Sequence, residues 1–272
     1  MKKSKTSLFD RKNRILLKEL VKTDFKLRYN GSVLGMVWSV LKPLLLFAVM
    51  YLVFVHFLRF GAGIPHFAVS LLLAITLWSF FAECTGAGMR SIVDRGDLMR
   101  KINIPRYIIV VSTTVSALIN LGISLIVVLV FAIINGVEFQ GHILLVPLLI
   151  IELYILSLGM AFLLSTLYVK FRDLAHIWDV IMQAGFYFTP IIYPISMVAA
   201  FSIEASKIMM LNPMAQIIQD VRYLFTYSGT ETVWNYIDSF YIAIIPLAIV
   251  IIIAIIGSLY FRKNSRKFAE MI

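Results

Sequence analysis

The sequence predicts an all-α integral membrane protein: six transmembrane helices, an N-terminal interfacial amphipathic helix, and re-entrant or short external helices between spans five and six. Three observations carry this. Of 272 residues, 60% are apolar and only 15% charged, a balance no water-soluble core accommodates; the mean hydropathy is +0.89. Six apolar stretches reach the roughly 20 helical residues that a hydrocarbon layer about 30 Å thick requires. All but four of the 25 basic residues fall in segments that one side of a membrane would hold. Long unbroken apolar runs without period-two alternation argue against a β-barrel.

Residues 1–32 form a basic cytoplasmic leader. Between Lys12 and Tyr29, Leu16, Leu17, Leu20, Val21 and Leu27 share one helical face, opposite Lys18, Lys22 and Lys26. Such a helix lies flat on the cytoplasmic leaflet, although Asp24 falls on its apolar face; a solvated basic leader is the plainer alternative. The transmembrane domain, residues 33–261, then runs through spans Val33 to Leu58, Phe67 to Met89, Tyr107 to Asn135, Ile143 to Tyr168, Ala175 to Ala200 and Tyr241 to Phe261. No cleavable signal is expected, so the first span stays as an anchor. The fifth span carries Asp179, Gly185, Pro190 and Pro194, the mark of a kinked or broken helix.

The leader, the loops after spans two and four, and the tail at 262–272 hold the basic residues, with Arg59, Lys207 and Arg222 opposite and Lys42 inside a span. Both termini are therefore expected in the cytoplasm. The loop Arg90 to Arg106 alternates charges and breaks at Gly96-Asp97 before Leu98 and Met99. It reads as a short helix that meets a partner through Arg95, Asp97, Arg100 and Lys101 around two apolar anchors, or as residues that merely hold topology. Residues 201–240 contain apolar runs too short to cross, which fits a re-entrant hairpin, an external cap or an ordinary loop.

Small residues at helical spacing, Ser157, Ala161 and Ser165 in span four and Ala82 and Gly86 in span two, permit close helix approach. The ionisable groups within spans are Lys42, Glu83, Glu152 and Asp179. A central Lys costs about 2.5–3.5 kcal/mol on insertion scales, so each needs a partner or a wet face; depth places Lys42 and Glu83 near each other.

Several chemistries are missing. Cys84 stands alone, which excludes an intrachain disulfide, and no Gly precedes a Lys, which excludes the phosphate-cradling G-x-x-x-x-G-K loop. The four histidines, His56, His66, His142 and His176, show no ligand spacing, and no G-x-S-x-G or nucleic-acid-reading motif is present. Scattered acids and one broken span give poor support for ion-coupled transport. An external motor is the better fit.

Five strings in order resemble the permease subunit of polysaccharide-exporting ABC transporters of the ABC-2 type, which serve teichoic acid, O-antigen, capsule and rhamnose-rich polymers. They are Arg28 to Gly35 with Trp38, Leu41, Pro43 and Leu44; Leu98 to Arg106; Arg172-Asp173-Leu174; Phe186 to Pro194; and Leu211-Asn212-Pro213 with Arg222 beyond. Lys42 stands where Asn is common in that family, Ile104 where Phe is, and Thr189 where Ser is.

The resemblance implies a homodimer with two copies of a cytoplasmic ABC ATPase that binds ATP and magnesium, with no cofactor on this chain and no nucleic acid as partner. It implies a bacterial plasma-membrane location and an undecaprenyl-linked polysaccharide as cargo. Spans one and five of both protomers would line the path, with Trp38, Lys42, Tyr51, Phe186, Tyr187 and Tyr193 as candidates, since sugar C–H faces stack on rings. Arg90 to Pro105 would be the coupling helix and residues 201–225 the re-entrant outer segment. An ABC-2 exporter of a drug or small lipid, and an ion-coupled carrier, are the alternatives.

Overall fold

The computed structural model describes residues 11–29, 35, 37–101, 104–139 and 141–268, without the side chains of 25–29, 39–40, 100–101 and 267. Every described element is helical. The first, α1 (Arg11–Tyr29), packs along the start of α5 (Arg106–Ile134). Its leucine face meets protein: Asn13 is buried and Leu16, Leu17, Leu20 and Val21 are half-buried, while Lys18 and Lys22 stay exposed.

Helix α2 (Val37–Met50) contains Pro43, whose ring displaces a carbonyl and whose missing N–H leaves it unbonded. The helix then widens into a π-helical segment, Tyr51–Phe57. Together they give one apolar helix, Leu41–Phe57, shorter than a full span. Among the described residues four helices are long and apolar enough to cross a membrane: α3 (Phe67–Asp94), α5, the unit Gly141–Lys170 formed by a 3-10 turn and α6 (Val146–Lys170), and α13 (Ile245–Asn264). The second of the expected spans thus continues five residues past Met89, to Asp94.

Helix α3 is the hub. Its apolar window is 78% buried, against 33% or less for the other three, because α5 and α6 both pack along it. The α6 and α13 backbones touch: a Cβ at Gly257 would collide with the Gly159 carbonyl oxygen, and one at Gly159 would sit 2.7 Å from Ala254 Cα. Of the small residues singled out above, Ser157, Ala161 and Ser165 are fully buried. Gly86 meets nothing within 4 Å; it is Gly88, against the Ala161 methyl, that brings α3 to α6.

After α3 the chain turns through α4 (Gly96–Lys101) into α5. The expected fifth span is α7 (Leu174–Phe188), which stops at an extended Thr189, as Pro190 and Pro194 dictate, and resumes as the short α8 (Ile195–Phe201). Next come α9 (Ile203–Met210) and α10 (Pro213–Phe225), then α11 (Val233–Tyr236) and α12 (Phe240–Ala243). The Ser202 hydroxyl caps α9 and the Asn212 side chain caps α10, with Pro213 in the first turn where its missing N–H costs nothing. Helix α10 packs on α3, α6 and α13 rather than standing apart from the bundle.

Candidate translocation seam and coupling loop

The two helices expected to line a path are left largely uncovered by this chain. On α2 and its π-helical extension, Trp38, Leu45, Val49, Tyr51, Leu52 and Phe57 are exposed. On α7 only Ala175 and Trp178 are buried. Trp38 and Lys42, one turn apart, are both exposed, and the Tyr51 ring lies 5.7 Å from Phe47, which in turn meets Phe131 of α5 edge-on. The Glu83 carboxylate accepts a 2.9 Å bond from Asn120 of α5, and among the described residues no ion pair joins it to Lys42.

Phe186, Tyr187 and Tyr193 form one cluster at the α7 break. Phe186 is half-buried and meets Trp78 of α3 edge-on at 6.1 Å, and the exposed Tyr187 ring stands perpendicular to it. The Tyr193 hydroxyl donates back to the Tyr187 carbonyl at 2.7 Å, closing the bend. Two contacts seat α7: Gly185 leaves room for Trp78, and Trp178 Nε1 donates to Thr85 Oγ1. Among the described side chains no hydrogen bond or ring contact joins the Trp38–Tyr51 group to the Phe186–Tyr193 group. Asp179 is matched by Arg90 across an exposed 3.6 Å ion pair.

A broken helix must satisfy the carbonyls it frees, and sequence reasoning left the agent unnamed. It is Arg222 of α10. This guanidinium, fully buried, donates to the carbonyls of Pro190 (2.6 Å) and Ile191 (2.6 Å) in the break, to the Ser70 carbonyl at the start of α3 (3.2 Å), and to Gln219 Oε1 (2.9 Å). Only a planar fork with several donors reaches three separate backbone oxygens. Burial without a carboxylate partner lowers its pKa to about 9, still charged at neutral pH. Its one sequence signal was position: a basic residue on the side the other charges avoid.

At the loop, Arg95 is turned inward. Its guanidinium bonds the Asp24 carboxylate of α1 and, at 2.8 Å, the Ser112 hydroxyl of α5. This explains the acid on the apolar face of α1. Met99 also faces inward, against the cluster of Ile92, Ile109, Val110 and Phe261. Asp97 is exposed and Leu98 half-exposed, while the side chains of Arg100 and Lys101 lie outside the described residues, as does the backbone of 30–34 in the first motif. Arg95 and Met99 thus tie this turn to the protein, Asp97 is exposed, and Leu98 is partly covered.

Elsewhere, a cavity of about 300 Å³ lies beyond the ends of α3 and α10, lined by His66, Glu138, His142, Tyr223 and Tyr227. Among the described residues no group of His, Cys, Asp or Glu is arranged to hold a metal ion.

The ABC-2 type transporter family matches residues 15–226. The O-antigen export system permease protein RfbA of Myxococcus xanthus is 32% identical over 210 residues, 77% of this chain and 80% of its own. Two proteins of the same description from Klebsiella pneumoniae are 30% and 29% identical, each over 94% of this chain and 95% of its own length. The match takes in the exposed α2, the inward-tied loop, the broken α7 and the clamp on its break, and the chain belongs to the ABC-2 type transporter family.

Proposed function

We propose that this chain is the permease subunit of an ATP-driven exporter of cell-surface polysaccharide. The observation that carries the reading is the likeness, across nearly the whole chain, to proteins described as O-antigen export system permeases. The protein is a multi-pass membrane protein. The α2–π unit and the α7–α8 unit complete six crossings, with the α1 leader and the tail in the cytoplasm and α9–α10 re-entering from outside.

A second copy of the chain covers the exposed faces of α2 and α7, and the seam between copies is the path. Aromatic rings at Trp38, Tyr51, Tyr187 and Tyr193 suit a sliding polymer, because C–H faces stack on them without one fixed hydrogen-bond geometry. The cargo is an undecaprenyl-linked glycan of the teichoic acid, O-antigen or rhamnose type. A pair of cytoplasmic ABC ATPases supplies the work, binding ATP and magnesium. Asp97 and Leu98, outward on α4, meet that partner, while Arg95 and Met99 hold α4 against α1 and the bundle so that a push on the loop moves both.

Co-expression with a tagged ABC ATPase tests this. Stoichiometric co-purification of the two chains is expected. A chain that purifies without a nucleotide-binding partner and carries a gradient-driven flux in liposomes contradicts it.

A further inference from the structure

Where α10 crosses α6, three polar side chains meet: Glu152 on α6, and Gln216 and Asp220 one turn apart on α10. Gln216 Nε2 donates to Asp220 Oδ2 at 2.6 Å. Glu152 lies within hydrogen-bonding reach of the Gln216 side chain and within range of the Asp220 charge. Glu152 and Gln216 are each 8% exposed, flanked along their helices by the buried Leu149, Leu153, Ile217 and Ile218. Two oxygens in this cluster, Glu152 Oε1 and Gln216 Oε1, are buried and receive no donor.

Each orphaned acceptor has given up its hydrogen bonds to water and received none in return. A second carboxylate charge beside the first, in an apolar layer, costs more. One added hydrogen removes all of these penalties, because a protonated carboxyl is a donor. We propose that Glu152 binds a proton at neutral pH and donates it to Gln216 Oε1, making a carboxyl–amide–carboxylate chain that holds α10 to α6. On release the proton leaves for solvent past the half-buried Asp220, and both orphans return.

Among the described residues no other charge is placed to do this. Arg222, two residues on, is turned to its carbonyls and Gln219. On α3 Glu83 is bonded to Asn120, Cys84 is buried, Arg90 pairs with Asp179, and Asp94 is exposed at the helix end; on α6 itself Tyr154 bonds Thr114. Arg262 and Lys263 lie in the last turn of α13, Glu204 and Lys207 of α9 pair with each other at 2.9 Å, and His142 and Glu138 line the outer cavity. Burial raises Asp220 to about 6, so above that pH it presents a negative charge to Glu152.

Separating α10 from α6 takes the acceptor away from the Glu152 proton, so the packed state binds that proton more tightly and stability falls as pH rises. Infrared spectra and thermal melts of the full-length chain in lipid nanodiscs, titrated from about pH 6 to about pH 9, test this. Wild type should show a protonated-carboxyl band at neutral pH that disappears on alkalinisation, with a falling melting temperature. Glu152→Gln should lack that band and melt independently of pH, since its amide donates to Gln216 without a proton. The proposal is overturned by the absence of the band in neutral wild type, by its persistence in Glu152→Gln, or by a wild-type melting temperature that does not fall with pH.

Discussion

Arg222 Nη2 donates to the carbonyl oxygen of Ile191 at 2.6 Å, so α10 fastens the break in α7 that lies 31 residues before it. The bond answers a requirement set by Pro190 and Pro194, which free backbone carbonyls that lipid cannot satisfy. It also reaches Ser70 of α3, so one side chain fixes a kinked helix, a short helix and the central helix relative to each other.

Replacement of Arg222 by Lys keeps the charge but not the fork. An ammonium cannot serve three divergent carbonyls, and each one orphaned costs about 1–3 kcal/mol. A drop in melting temperature of roughly 2–4 °C per kcal/mol is expected for the purified chain. An Arg222→Lys variant as stable as wild type would show that the clamp contributes nothing.

The Arg95–Asp24 tie predicts coupling between two segments that sequence reasoning placed apart, one on the membrane surface and one against a partner. Both side chains are mostly buried, at 18% and 15% exposure, so the pair is not a solvent-screened surface contact. A double-mutant cycle with Arg95→Gln and Asp24→Asn should give an interaction energy of about 0.5–3 kcal/mol in stability. Strict additivity of the two changes would place the residues in independent roles.

Two glycines should respond in opposite ways to alanine. Gly257→Ala drives a methyl into the Gly159 carbonyl and forces α13 off α6, an overpacking cost of about 1–3 kcal/mol. Gly86→Ala meets open space and gains helix propensity, about 0.5–1 kcal/mol. Melting curves of the two variants check the pair, and a destabilised Gly86→Ala would mean that something covers that face.

These cases show what the sequence made legible. Apolar length alone marked α3, α5, α6 and α13 to within a few residues at most ends, and the prolines marked the α7 break. Small-residue spacing found Ser157, Ala161 and Ser165 but chose Gly86 over Gly88, because periodicity does not say which face of a helix meets a neighbour. Contacts between distant segments left only indirect traces: Asp24 as an acid on a greasy face, Arg222 as a base on the wrong side. Asn120, which bonds Glu83, had no such trace, and depth counting matched Glu83 with Lys42 instead. Arg95 and Met99 belong to a segment that reads as a docking loop, yet their side chains pack inward, which composition does not encode.

Exposure separates transport from folding at Trp38, which is 44% exposed and whose indole makes no hydrogen bond among the described residues. Trp38→Ala should therefore leave the unfolding free energy within about 0.5 kcal/mol of wild type, as for surface substitutions generally, while lowering glycan export. Unchanged export with unchanged stability would remove Trp38 from the path.

The proposed export runs only under an outside motor. Reconstituting it in proteoliposomes with and without its ABC ATPase, and following a lipid-linked glycan across the bilayer with a non-permeant lectin, tests that directly. Export that needs both proteins and ATP, and stops when Asp97 and Leu98 are replaced together, is the predicted result. Equal glycan movement by the chain alone, with no ATPase and no ATP, would contradict it.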